Sequence, residues 1–197
     1  MPKIVDYDQR RREIIDVTWN LIVEGGVDAA TMREIAAAAG FANGALKHYF
    51  PSKDVIIAAT YERALNLMNS HVTQAIGNSR GLPALRILCR EAMPIDDERA
   101  NASRVLLAFW ATALSHQPLY DAYTQHLKSW RTILRKYLRQ GRADGDILTR
   151  TPDSELIDEI ILLNAGANVL VVVGPAYSSV ALHLRHLEAF FERLGRP

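Results

Sequence analysis

Residues 31–53 read Thr31-Met-Arg-Glu-Ile-Ala-Ala-Ala-Ala-Gly-Phe-Ala-Asn-Gly-Ala-Leu-Lys-His-Tyr-Phe-Pro-Ser-Lys53, a stretch whose punctuation predicts two short helices and a turn. Thr31 and Glu34 have the T-x-x-E spacing in which a hydroxyl and a carboxylate satisfy free amides at a helix start. That helix should end near Ala38 or Ala39, where Gly40 permits a tight turn. A second short helix is predicted over about Ala42 to Tyr49, stopping before Phe50-Pro51 because a residue preceding proline avoids the helical region. The arrangement is a helix-turn-helix. Ile35, Ala36 and Ala39 are expected to pack on Leu46 and Phe50, with small alanines where the helices cross.

The opposite face of the second helix carries the chemistry. Asn43, Ala45, Lys47, His48 and Tyr49 supply hydrogen-bond donors, an apolar contact for a thymine methyl group and a phenol suited to a phosphate. Lys53 stands at the start of the next helix, where an ammonium and backbone amides together favour a phosphate.

Outward from this stretch, proline and glycine divide a chain whose apolar residues recur with helical spacing. Nine helices are expected: Asp8–Glu24, stopped by Gly25-Gly26; the two short ones; Ser52–Ile76; Leu82–Met93; Asp97–Ser115; Pro118–Gln140; Pro152–Val173; and Ser178–Leu194. Val169 and Val171–Val173 have β preference locally, but the pattern entering from Leu156, Ile160 and Leu163 is helical. The fold class is therefore all-α, with a three-helix head at 1–55 and a larger helical body at 56–197.

The 197 residues suffice for a sizeable core, and 23 Lys+Arg against 22 Asp+Glu leave no global charge that announces a partner. A single cysteine, Cys89, rules out an intramolecular disulfide. No export signal is read at the N-terminus, so a cytoplasmic location is expected. Ile160 to Leu184 lacks Asp, Glu, Lys and Arg, yet Asn164, Asn168 and Gly174-Pro175 argue for a buried helix against a partner, not a membrane span. There is no Walker loop, G-x-S-x-G elbow, H-E-x-x-H or dinucleotide fingerprint, so no enzyme and no cofactor are expected.

The body offers candidates for a small-molecule site: Phe109, Trp110, Tyr123 and Trp130, together with Cys89 and Met93. Tyr120 belongs to the same aromatic set, and ordinary packing is the alternative reading for all of them. Asn164 and Asn168 lie one turn apart in an apolar helix, where unpaired amides cost free energy. They are read as binding an effector or as hydrogen-bonding across a dimer. His183 and His186 lack a third ligand nearby, so no metal is expected. Arg131, Arg135, Lys136, Arg139 and Arg142 are read as a solvated helical face.

Residues 10–65 resemble the DNA-binding head of the TetR family of bacterial repressors. The shared features are Glu24-Gly25-Gly26, Thr31-x-x-Glu34-Ile35-Ala36, Ala39-Gly40 and Leu46-x-His48-Tyr49-Phe50-Pro51-Ser52-Lys53. The resemblance implies that Thr31, Tyr49 and Lys53 hold phosphates, while Arg33, Asn43, Gly44, Ala45, Lys47 and His48 approach base edges or neighbouring phosphates. Lys47 stands where many members have tyrosine, exchanging an aromatic contact for a mobile charge. Ala42 replaces a frequent capping serine. Val105–Leu114 is similar to a segment of the branch that includes the choline-responsive repressor of betaine synthesis, a ten-residue likeness from which choline is not inferred.

The resemblance further implies a homodimer formed by the last two helices, double-stranded DNA with a palindromic operator as partner, and release by an unidentified small-molecule effector acting through Ser52–Ile76. A DNA-binding or interaction module without an effector is the alternative. Residues 1–55 carry seven basic and eight acidic side chains, and Arg10–Arg12 are expected to add a flexible basic arm. With few phosphate contacts, DNA affinity should fall only modestly with salt, which a titration of binding against salt concentration checks.

Overall fold

The computed structural model describes residues 7–42 and 44–196. Among them are eight α-helices and two 3₁₀ turns, with no strand. The helices are α1 (Tyr7–Ala29), α2 (Met32–Ala38), α3 (Lys53–Ile76), α4 (Gly81–Glu91), α5 (Asp97–Ala113), α6 (Gln117–Asp144), α7 (Asp153–Val173) and α8 (Val180–Leu194). The 3₁₀ turns are Leu46–His48 and Pro175–Tyr177.

The difference from nine helices falls in the second half of the helix-turn-helix. In place of an α-helix over 42–49 there is a single 3₁₀ turn, Leu46–His48. Ala45 caps it without a side-chain hydrogen bond, Gly44 weakens helix propensity just before it, and Pro51 limits what can follow. Asn43 lies outside the described residues. The first half conforms: Thr31 Oγ1 accepts the Glu34 amide at 3.1 Å. At the other end Gly40, at φ +72°, lets its own amide reach Ala37 O at 3.2 Å and that of Phe41 reach Ala36 O at 2.8 Å. This is the paired closure of a Schellman motif, which needs a left-handed residue at that position. Gly26 breaks α1 in a related way, at φ 74° and ψ −177°.

The chain forms two compact units. The first comprises residues 1–66 and 104–121. Its core includes Ile14, Trp19, Ile22, Ile35, Ala36, Leu46, Phe50, Ile56 and Ile57, all buried. Val105, Ala108 and Phe109 are buried too, and Phe109 stacks on Tyr61 of α3 with ring centroids 3.8 Å apart. The Asp54 carboxylate of α3 lies 3.7 Å from His116, between α5 and α6.

The second unit comprises residues 67–103 and 122–197. Leu85, Leu88, Leu134, Leu138, Ile157, Ile160, Leu187, Phe190 and Phe191 form its apolar cluster. Arg142 ties the end of α6 to the start of α7, donating from Nε to Asp153 at 2.8 Å and from its two terminal nitrogens to Thr149 O and Thr151 O, each at 2.6 Å. Arg142 is thus a structural bracket, and Arg131 pairs with Asp158; neither is a freely solvated member of the basic face. By length and composition alone α7 could cross a membrane, but it buries Leu156, Ile157, Ile160 and Ala167 in this core.

Phe109→Ala should therefore remove a stacked, fully buried ring and lower unfolding free energy by about 3–5 kcal/mol, measured by urea denaturation.

Candidate nucleic-acid interface

A three-residue 3₁₀ turn has too few internal hydrogen bonds to hold itself, so the segment 44–50 is fixed from outside. Leu46 and Phe50 point inward and are completely buried. Arg11 of α1 lies over the Phe50 ring at 4.0 Å and donates a hydrogen bond to Tyr49 O. Tyr7 stacks on Tyr49 with centroids 5.0 Å apart and donates its hydroxyl to His48 O at 3.3 Å. Phe41 tilts against the same tyrosine at 5.3 Å.

With Leu46 and Phe50 committed inward, Gly44, Lys47 and His48 are left exposed, with Ala45 and Tyr49 half-buried. Thr31 and Arg33, at the start of α2, are exposed as well. The Thr31 oxygen serves as the helix cap while its proton stays available to a ligand, and Arg33 pairs with its neighbour Glu34 at 2.9 Å. That pairing occupies the carboxylate expected to complete the capping box.

Lys53 starts α3 as expected, and its ammonium is engaged within the protein, which its sequence position does not signal. Its Nζ donates to Val27 O at 2.7 Å, fastening the start of α3 to the segment after the Gly26 break. Arg10 and Arg11 also differ from expectation, because they belong to α1 and are engaged. Arg10 pairs with Glu13 at 2.7 Å and approaches the Phe41 ring. They support the segment 41–50 and are not a flexible arm. Tyr7 and Phe41 escaped sequence reasoning, since no local pattern signals a contact across 41 residues, as for Tyr7 and His48, or one made across a turn, as for Phe41 and Tyr49.

The candidate small-molecule residues are divided between the two units. Phe109 and Trp110 belong to the first, while Cys89, Met93, Tyr123, Trp130, Asn164 and Asn168 belong to the second. Cys89 is wholly buried, and burial pushes its thiol far above the usual range, so it is a neutral packing group. Met93 is buried in the same cluster. Asn168 is used internally: its amide donates to Ala92 O at 3.2 Å and Asn164 O at 2.8 Å, and its oxygen accepts from Ser103 at 2.6 Å. It thus joins α7 to α5 and to the residue that closes α4. Asn164 donates to Ile160 O at 3.0 Å, and its buried oxygen meets no partner, as does the buried Trp130 indole N–H.

Comparison with known proteins identifies the class. The pattern of bacterial regulatory proteins of the tetR family matches residues 14–60, and that of the BetI-type transcriptional repressor C-terminal region matches residues 83–196. The likeness of the body therefore extends far beyond Val105–Leu114. The chain is 32% identical over 161 residues to the HTH-type transcriptional regulator PksA of Bacillus subtilis, covering 79% of this chain and 75% of that protein. It is 30% identical over 195 residues to the regulator BetI of Burkholderia cenocepacia, covering 94% and 95%. A regulator from Saccharomonospora viridis, solved in complex with choline, shares the fold at TM-score 0.85 with 22% identity, covering 94% of this chain and 96% of that one. This is a DNA-binding regulator of transcription and not an enzyme. The chain belongs to the TetR family, with a BetI-type C-terminal region.

Two stability outcomes follow from the contacts. Lys53→Met should cost about 1–2 kcal/mol through loss of a charge-assisted bond to Val27, measured by denaturant unfolding. Burial lowers the pKa of His126, and burial followed by the His186 charge lowers that of His183. Each histidine is then held neutral in the fold while the unfolded chain takes up protons near pH 6.5. Their contribution is present above that value and is lost as pH falls below it, so thermal midpoints should drop from pH 7 to pH 5, with a shallower drop in His126→Gln.

Proposed function

We propose that the chain acts as a cytoplasmic homodimeric repressor whose two heads, each residues 1–55, enter successive major grooves of a palindromic operator. The remaining residues, 56–197, would carry dimerisation and the response to a small-molecule effector. The observation that carries this reading is the commitment of Leu46 and Phe50 to the core, which leaves Gly44, Lys47 and His48 together on an exposed turn. Thr31, Arg33, Ala45 and Tyr49 would complete the contact surface with Asn43.

Lys47, exposed and in no ion pair among the described residues, is best suited to a phosphate. Tyr49 is half-buried and anchored through Tyr7 and Phe41, so its phenol would act from a fixed position. Lys53 retains two ammonium protons for a phosphate while holding Val27. For two heads on one face of B-DNA the recognition segments must lie roughly 34–36 Å apart.

The dimer reading is supported by α7 and the residues after it, where Leu162, Leu170, Val173 and Tyr177 are large, apolar and exposed. Such a stripe fits pairing with the same helices of a second copy. An effector would act by preferring the non-binding geometry, since equal affinity for both states shifts nothing. The internal employment of Phe109, Cys89 and Asn168 favours a module without effector to the extent that these residues were its candidate ligands.

Selection of bound sequences from random duplex DNA should recover one palindrome. Lys47→Ala should weaken binding to all sequences, whereas Asn43→Ala should change preference at particular bases. Retention of full affinity and preference by both variants, in a folded dimer, would overturn the recognition surface.

A further inference from the structure

We propose that the outer face of α6 grips the phosphate backbone of duplex DNA without reading sequence, through Lys128, Arg135 and Arg139, as a contact separate from the recognition turn.

Between Asp121 and Asp144 this helix carries six Lys and Arg and no carboxylate. Two of the six are spent within the protein, Arg131 on Asp158 and Arg142 on Asp153. Lys128, Arg135, Lys136 and Arg139 are in no ion pair among the described residues; Arg135 is half-buried and the other three are exposed. Lys136 lies over the Tyr137 ring at 5.3 Å. Lys128, Arg135 and Arg139 fall within about 40° of one another around the helix and span about 16 Å along it. Ser129 and Thr132 turn their hydroxyls back to the carbonyls of Gln125 and Lys128, so the outward donors of this face are its cations.

Stability of the fold does not account for the arrangement. The helix dipole favours cations only within the last turn, and α6 ends at Asp144, more than a turn beyond Arg139 and several beyond Lys128. Arg131, Arg135 and Arg139 recur at i, i+4, a spacing at which like charges repel. A polyanion laid over the face relieves that repulsion.

The surroundings select the kind of polyanion. A duplex presents one negative charge per about 1.7 Å of its axis, so a stripe about 16 Å long meets phosphates in any register. A guanidinium pairs with two phosphate oxygens at once. An acidic protein would have to place its carboxylates at these few positions. A lipid surface calls for large apolar side chains beside the cations. Here Leu134 and Leu138 are buried in the apolar cluster, with Trp130 and Tyr137 packed against it, and Ile133 stands about 140° around the helix from Lys128. In the head, Arg11 and Lys53 are engaged internally; α6 supplies cations that the head does not, and makes binding steeper in salt than the head alone implies.

The test uses the full-length protein and a fluorescent duplex of random sequence, so it does not depend on the operator reading. Affinity is read by anisotropy across salt concentrations. The triple variant Lys128→Gln, Arg135→Gln, Arg139→Gln should flatten the slope of log affinity against log salt by about 0.9 for each lost contact, roughly 2.7 in all. A fourfold rise in salt then weakens the unsubstituted chain about 40-fold more than the variant. A control triple, Arg90→Gln, Arg104→Gln, Arg185→Gln, removes the same charge from exposed arginines outside α6 that are in no ion pair among the described residues, and should keep the slope. The α6 variant should keep or raise the thermal midpoint of the free protein, because it removes repelling charges.

An unchanged slope in the α6 variant would overturn the contact. An equal fall in both triples would do the same, showing that net charge alone matters. Selective loss of binding to phosphatidylserine vesicles or to polyglutamate in the α6 variant, with the duplex slope unchanged, would replace DNA by a lipid surface or an acidic protein. If the α6 variant behaves as expected while Lys47→Ala and Asn43→Ala leave DNA binding intact, this contact stands and the recognition surface fails.

Discussion

The burial of Leu46 and Phe50 is the constraint on which the rest of the head depends. Their segment has one 3₁₀ turn of its own, and so short an element does not persist in water without external support. Burying two apolar side chains in the first unit, where Ile35, Ala36, Ile56 and Ile57 are buried too, fixes the phase of that turn. Once Leu46 and Phe50 point inward, the chain geometry turns Lys47 and His48 outward. The exposed face of this turn is thus the complement of a packing decision.

Cations serve this frame before they serve any nucleic acid. Arg11 holds the Tyr49 carbonyl, and Lys53 holds that of Val27. Each bond brings a charged donor to a main-chain acceptor distant in sequence, where a neutral donor would contribute less. A head with nearly balanced formal charge thereby spends part of its positive charge internally. Lys47 and the exposed Arg33 contribute the cationic character of the outer surface, with Arg33 tempered by Glu34.

The second unit follows a different logic. Its apolar cluster is bounded by ion pairs that bracket α6, α7 and α8: Arg142 with Asp153, Arg131 with Asp158 and Arg193 with Glu159. Two asparagines sit inside an apolar helix, and the structure separates them. Asn168 earns its place by joining three elements, whereas Asn164 keeps an unmet oxygen. Two identical side chains one helical turn apart are thus used differently, one satisfied by its neighbours and the other with an oxygen that meets no partner.

Much of this was legible in the residues themselves. The T-x-x-E cap, Gly40, the phase of Ile35 and Ala36 and the spacing through Phe50-Pro51 are local signals, because capping, left-handed turns and helical periodicity act within a few residues. They defined the all-α class, the helix-turn-helix and its outer face. What the sequence could not determine depends on contacts between distant positions. Tyr7 under Tyr49, Lys53 at Val27 and Phe109 on Tyr61 appear in no local pattern. Nor does the 3₁₀ character of 46–48, where intrinsic preference is weak and tertiary packing decides. Periodicity assigns a residue to a face; only the folded chain determines which partner meets it there, and whether its polar atoms are satisfied.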